Sequence, residues 1–156
     1  MKIQIIHPGN FKESYLTSAF AEYTKRISAF SEITDIPVKE RPVTEMSQVM
    51  KALTDEGEDI LSKLDPRAYV IALCIEGKQL SSEELSETFE KASVDGFSTI
   101  AFIIGSSHGL SDEVKKRAHL KLSFSKMTFP HQLMRVILSE QIYRALSIIN
   151  GSKYHK

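Results

Sequence analysis

The chain has 156 residues, of which 42% are hydrophobic and 26% charged, and its 20 Lys plus Arg equal its 20 Asp plus Glu. These values exclude a disordered chain and a globally polycationic nucleic-acid binder, and they suit one globular domain with a real core. The zero net charge hides an asymmetry: residues 115–156 hold nine Lys or Arg against one acid, Glu140, a balance of +8, and the first 114 residues carry the complementary −8.

In chain order, Ile3, Ile5 and Ile6 predict a short strand that stops at Pro8 and Gly9. Over residues 11–30, Tyr15, Leu16, Ala19, Phe20, Tyr23 and Ile27 recur at helical spacing, so an amphipathic helix is expected. Residues 33–38 read as a second strand, whose Pro37 points to a sheet edge or an early end. Residues 44–64 read as a helix closed by Asp65 and Pro66. Residues 68–75 and 99–104 are nearly all apolar, as in strands covered on both faces. Between them Ser81 offers a helix cap with Glu83 and Glu84 in the first turn, which implies a right-handed parallel crossover. A short helix from Ser111, a strand over 120–124 and a last helix over 131–150 complete a single α/β domain with a mostly parallel sheet. Cys74, the only cysteine, falls in a buried-type strand, so no intrachain disulfide forms; a core role and a reduced cytoplasmic setting are expected. No apolar run nears the roughly 20 residues of a membrane span, and an unanchored protein is expected.

The last helix is apolar at 11 of the 17 positions from 133 to 149. An arc that broad is buried either wholly inside its own domain or partly against a second copy, and the pattern favours the second copy.

Three loops follow strands and precede helices, where open α/β sheets place ligands. The first, Gly105-Ser106-Ser107-His108-Gly109, is neither a dinucleotide fingerprint nor a Walker loop, and reads equally as a tight turn or a ligand loop. The second, residues 76–83, is fully explained by helix capping. The third, residues 124–131, alternates polar and aromatic side chains and ends in Pro130, which suits the first turn of a helix. If the three converge they enclose a pocket fit for an adenine-bearing cofactor or a substrate. His7 and His119 have no evident partners in the sequence. No zinc-ligand spacing and no nucleophile elbow is present, so neither a metal site nor a serine hydrolase is expected. The tail Lys153-Tyr154-His155-Lys156 combines charge, ring and imidazole in a way that suits RNA or an ordinary solvated end.

The runs Leu73-Cys74-Ile75-Glu76-Gly77-Lys78, Phe102-Ile103-Ile104-Gly105, Leu122-Ser123-Phe124-Ser125-Lys126-Met127-Thr128-Phe129-Pro130-His131, Glu140-Gln141-Ile142-Tyr143-Arg144-Ala145 and Tyr154-His155 together resemble the RlmH family of ribosomal RNA large subunit methyltransferases. The match follows the whole chain and is strongest from Leu73 onward. It departs from the family pattern at Asn10, where relatives carry Lys, and at Ser106, where they carry Gly. The resemblance implies the SPOUT fold, with a C-terminal trefoil knot, and a homodimer. It also implies S-adenosylmethionine as methyl donor and N3 of pseudouridine 1915 of 23S rRNA in the ribosome as acceptor. Carried onto this sequence, it implies that Leu73, Gly105, Phe124, Ser125, Lys126, Met127, Thr128 and Phe129 hold the cofactor. Tyr154, His155, His131 and Arg135 become the catalytic candidates, and Arg144, Lys153 and Lys156 join Arg135 in holding RNA phosphates. The competing reading is a non-catalytic RNA-binding α/β module, which accounts for the basic quarter but gives no reason for the pocket loops.

Overall fold

A computed structural model describes residues 1–156. Five strands, β1 (Lys2–Pro8), β2 (Glu32–Val38), β3 (Tyr69–Gln79), β4 (Thr99–Ile103) and β5 (Leu120–Ser123), form one sheet in the order β2-β1-β4-β3-β5. Every neighbouring pair is parallel. Parallel strands need crossovers, and five helices supply them or come after them: α1 (Ser14–Ile27), α2 (Val49–Lys63), α3 (Ser82–Val94), α4 (Asp112–Arg117) and α5 (His131–Ile149).

The two-residue period of the strands divides the apolar residues between two cores. Ile3 and Ile5 of β1, Ile71 of β3 and Ile100 and Phe102 of β4 pack with residues of α1, α3 and α5, among them Phe20, Phe89, Leu138 and Ile142. Ile6, Val70, Ala72, Ala101 and Ile103 face the other way, onto Ile60 of α2 and Val114 of α4. The central strands are therefore covered on both faces, which is why they read as unbroken apolar runs. Pro37 sits in β2, an outer strand paired only with β1, where its missing N–H costs no sheet hydrogen bond.

Three boundaries differ from expectation. The first helix begins at Ser14, because Phe11 leaves the helical path and turns its ring against Phe20, 5.4 Å between centroids. The helix expected from residue 44 begins at Val49, preceded by a 3₁₀ turn at Met46–Gln48. There the Gln48 side-chain oxygen accepts hydrogen bonds from both the backbone N–H and the hydroxyl of Thr44, holding the approach in a turn. The third difference reshapes one end of the sheet. Strand β3 does not end near residue 75 but runs to Gln79. It pairs with β5 through Leu73 opposite Leu122, swings out over four residues, and rejoins with Lys78 opposite the same Leu122. Gly77 makes the return possible, since a Cβ there would stand 2.6 Å from the Lys121 carbonyl oxygen. The helix after it starts as expected: the Ser81 hydroxyl accepts from the Glu84 N–H and the Glu84 carboxylate accepts from the Ser81 N–H.

His119 proves structural. Its Nδ1 accepts the Val70 N–H at 2.9 Å, its backbone N–H donates to the Val70 carbonyl at 2.8 Å, and its ring stacks on Tyr69. Desolvation, then the nearby Arg117, lowers its pKa from the ordinary histidine value. Because the unfolded chain then binds the proton more readily, stability is complete above the ordinary histidine pKa and declines as pH falls below it. His119→Ala should cost about 1–3 kcal/mol at neutral pH by leaving the buried Val70 N–H without its acceptor. It should also flatten the decline between pH 7 and 5, and urea unfolding of both proteins across that range checks this.

Candidate functional site

A cavity of about 670 Å³ opens at the C-terminal ends of β3, β4 and β5. One wall is the β3 excursion, with Leu73, Cys74, Ile75 and Glu76; a second is the glycine loop; the third is the segment from β5 into α5. The glycine loop is a tight turn and a cavity wall at once. Gly109 has φ +90° and donates its N–H to the Ser106 carbonyl, and the hydrogens of Gly105 face the Gly109 carbonyl so closely that a Cβ would collide with it. In the third wall, the Ser123 hydroxyl donates to the Ser125 carbonyl and the Ser125 hydroxyl accepts the Met127 N–H, each at 3.0 Å, which fixes the backbone of the turn. Of the eight residues assigned to the cofactor, seven line this cavity; Lys126 does not, and extends into solvent.

Two charged cavity residues escaped the sequence reading. Lys115 of α4 reaches Glu76 of the β3 excursion at 2.6 Å, tying that wall to α4. Each supports the other's charge, so the Lys115 pKa rises and that of Glu76 falls. Glu76 sits beside a glycine in a loop-like run, a weak signal, while Lys115 carried none, since only the fold brings residues 39 apart together. The Cys74 thiol also lines the cavity but is pushed up by burial, which keeps it protonated and unreactive.

The catalytic candidates divide. His131, the first residue of α5, lines the cavity, with its Nε2 3.9 Å from a Glu40 carboxylate oxygen. Arg135 does not reach the surface. It is 4% exposed, its guanidinium lies 3.4 Å from the Phe11 ring centroid, and its Nη1 lies 2.6 Å from His7 Nε2. His7, 2% exposed, in turn lies 2.7 Å from Asp35. Arg135, expected to touch substrate and RNA phosphate, makes internal contacts in this conformation. It clamps the start of α5 to β1 and β2, and His7 gains a partner that its sequence neighbours could not reveal. Desolvation lowers the Arg135 pKa, opposed by Asp35.

Tyr154 and His155 lie outside the cavity of their own chain. The Tyr154 hydroxyl donates to Glu140 Oε1 at 2.9 Å, and the same oxygen accepts from Arg144 Nε and Nη2 at 3.0 and 2.6 Å. Arg144 Nη1 lies 3.2 Å from His155 Nδ1, and His155 Nε2 lies 2.8 Å from Glu83 of α3. Burial and the hydrogen bond to Glu140 raise the Tyr154 pKa, so this phenol holds its proton. Arg144 is thus engaged by protein groups, whereas Lys153 and Lys156 are exposed. A smaller groove of about 290 Å³, lined by Ser82, Gln141 and Ile137 among others, shares Leu122, Ser123 and Phe124 with the main cavity and lies between it and α3.

On α5, Val136, Leu138, Ile142, Ala145 and Leu146 are buried in the chain's own core. Leu133 and Ile149 are exposed and Ile137 and Ile148 half-buried, leaving part of the apolar arc uncovered. No three His, Cys, Asp or Glu side chains stand together as a metal site, and no helix is long and apolar enough to cross a membrane.

The family model described as "Predicted SPOUT methyltransferase" matches residues 1–155. Ribosomal RNA large subunit methyltransferase H of Bacillus pumilus is 53% identical over 159 aligned positions, covering all of both chains. The protein of that name from Streptococcus pneumoniae (strain CGSP14) is 49% identical with the same coverage. Among solved structures, a probable methylase family protein of Haemophilus influenzae superposes with a TM-score of 0.56 at 17% identity, over 99% of this chain and 70% of that one. A tRNA (m1G37) methyltransferase of Aquifex aeolicus gives 0.50 at 14%, over 100% and 74%. At such identities the two structures speak for the fold.

Removing a clamp between buried groups is costly, and Arg135→Ala should destabilise the protein by about 2–3 kcal/mol. That is below the loss for a wholly buried pair, because solvent reaches Asp35. Chemical denaturation measures it; wild-type stability would show that the clamp adds nothing to folding.

Proposed function

This chain belongs to the SPOUT methyltransferase family, and on that premise we propose that it is an S-adenosylmethionine-dependent ribosomal RNA methyltransferase, acting as a cytoplasmic homodimer on N3 of pseudouridine 1915 of 23S rRNA. The observation that carries the reading is the three-walled cavity, with Gly105 packed against Gly109 and the turn at 124–129 held by its own serine hydroxyls. Its volume lies in the range of small-molecule sites.

The residues fit the cofactor. Backbone groups of 124–129 give hydrogen-bonding edges for an adenine, Leu73, Phe124, Met127 and Phe129 give apolar cover, and Gly105 lets the main chain approach. When bound, S-adenosylmethionine supplies a methyl carbon already activated by the adjoining sulfonium. The protein is left with two tasks: holding N3 of the base in line with that carbon, and helping the N3 proton to leave. Orientation is worth up to about 7–11 kcal/mol and a positioned base roughly 10²–10⁴-fold, so positioning is the larger share.

Tyr154 and His155 are assigned to placing the base and accepting its proton. Because their own chain ties them to α3 and α5, away from its cavity, they serve the cavity of a second copy, which also covers the open part of α5. Lys153 and Lys156, exposed beside them, take RNA phosphates. The trefoil passage belongs to the same reading, with α5 as its core.

Calorimetry should show S-adenosylmethionine binding to the wild type and at least about tenfold weaker binding to Gly105→Ala. No binding, with ribosomes present or absent, would favour a non-catalytic RNA module. The double variant Tyr154→Ala/His155→Ala should lose methylation of ribosomes while keeping cofactor affinity, and wild-type turnover would remove the tail from the mechanism. Mass spectrometry of ribosomal RNA from a deletion strain should show one methyl group missing at one pseudouridine.

A further inference from the structure

The hydrogen bonds around the tail specify which nitrogen of His155 carries the proton. Arginine has only N–H donors, so where Arg144 Nη1 faces His155 Nδ1 at 3.2 Å, that nitrogen must accept. In neutral imidazole the proton then lies on Nε2, which donates to Glu83 Oε1 at 2.8 Å. Arg144 is itself held by two contacts to Glu140 Oε1, the oxygen that also accepts from Tyr154, and its guanidinium carbon lies 4.7 Å from the Tyr154 ring centroid. The other Glu140 oxygen accepts from Gln141 Nε2, and Gln141 Oε1 accepts from the Ser82 hydroxyl of α3. Both tail residues are therefore gripped by carboxylates on two different helices, cross-braced between Ser82 and Gln141. Glu83 is the neighbour of Ser82 in the first turn of α3, whose position the Ser81–Glu84 capping box fixes.

We propose that Glu83 is a positioning residue: it holds His155 as the Nε2–H tautomer with Nδ1 as the basic atom, and Arg144 covers that atom until RNA engages the guanidinium. This rests on the role assigned above to His155. The base is thus stored with its lone pair occupied, and an RNA phosphate that draws Arg144 away uncovers Nδ1 to receive the N3 proton. No group beyond the protein, its methyl donor and its RNA is required, since the proton passes from N3 to Nδ1 and the N3 electron pair forms the bond to the methyl carbon as the carbon–sulfur bond breaks.

Glu83 suits a test because its side chain is 58% exposed, and an exposed pair adds little to folding. Long-range ¹H–¹⁵N spectra of the imidazoles, with His155→Ala identifying the signal, should show the Nε2–H form in the wild type and a tautomer mixture in Glu83→Ala. The melting temperature and S-adenosylmethionine affinity of Glu83→Ala should stay near wild type. Its kcat on ribosomes should fall at least about tenfold, a part of the roughly 10²–10⁴-fold that a positioned base contributes. Glu83→Gln keeps an acceptor oxygen and should restore the tautomer and most of kcat, which a purely charge-based or folding role would not allow. An unchanged tautomer, or an unchanged kcat in Glu83→Ala where His155→Ala is inactive, overturns the proposal. Full activity of His155→Ala overturns the assignment of the tail itself, and is told apart because the spectra report on Glu83 without any turnover.

Discussion

Strands β3 and β5 pair, part for four residues, and pair again at Leu122. The main chain can do this only because Gly77 returns against the Lys121 backbone with no Cβ in the way. Almost everything else at this end of the sheet depends on that excursion. It carries Cys74, Ile75 and Glu76 clear of the sheet to form a wall, leaves room for the turn after β5, and ends where Ser81 caps α3. A regular ladder at the same place would have closed the cavity.

Helix α5 shares the burden. Its first turn closes the cavity through His131 and Met134, and Arg135 anchors that turn to β1 and β2 through His7. The middle fills the core between α1 and α3, and the last three turns carry Glu140 and Arg144, which order the tail. A single rigid element thus links the cavity to the residues assigned to proton transfer, and part of its apolar stripe stays uncovered by its own chain.

The electrostatic asymmetry between the two parts of the chain is partly offset by contacts inside the molecule. Several cations of the basic quarter meet acids or polar partners from elsewhere: Lys115 meets Glu76, Lys116 meets Glu113, and Arg135 meets His7. Arg144 meets Glu140, the one acid of its own quarter. Lys121, Lys126, Lys153 and Lys156 stay exposed. With Lys116, whose only acidic partner is the equally exposed Glu113, they are the cations most open to a polyanion in this conformation, a smaller set than the count of charges implied.

The order of elements, the double coverage of the central strands and the outer place of β2 were all legible in the sequence, because apolar period, capping residues and Pro37 are local signals. So was most of the cavity wall, since loops after parallel strands collect at one end of a sheet. Three features were not. The continuation of β3 through Glu76-Gly77-Lys78 looks like a loop, because its strand character comes only from pairing with β5. Phe11 left its helix for a contact nine residues away. The partners of His7, Arg135 and His155 lie 128, 128 and 72 residues off along the chain. By itself the sequence determined which residues are apolar, where helices start, and which loops can gather. The tertiary structure alone decided which charges pair with each other and which remain for a ligand, because a charge acts through distance in space, and the chain order carries no record of that distance.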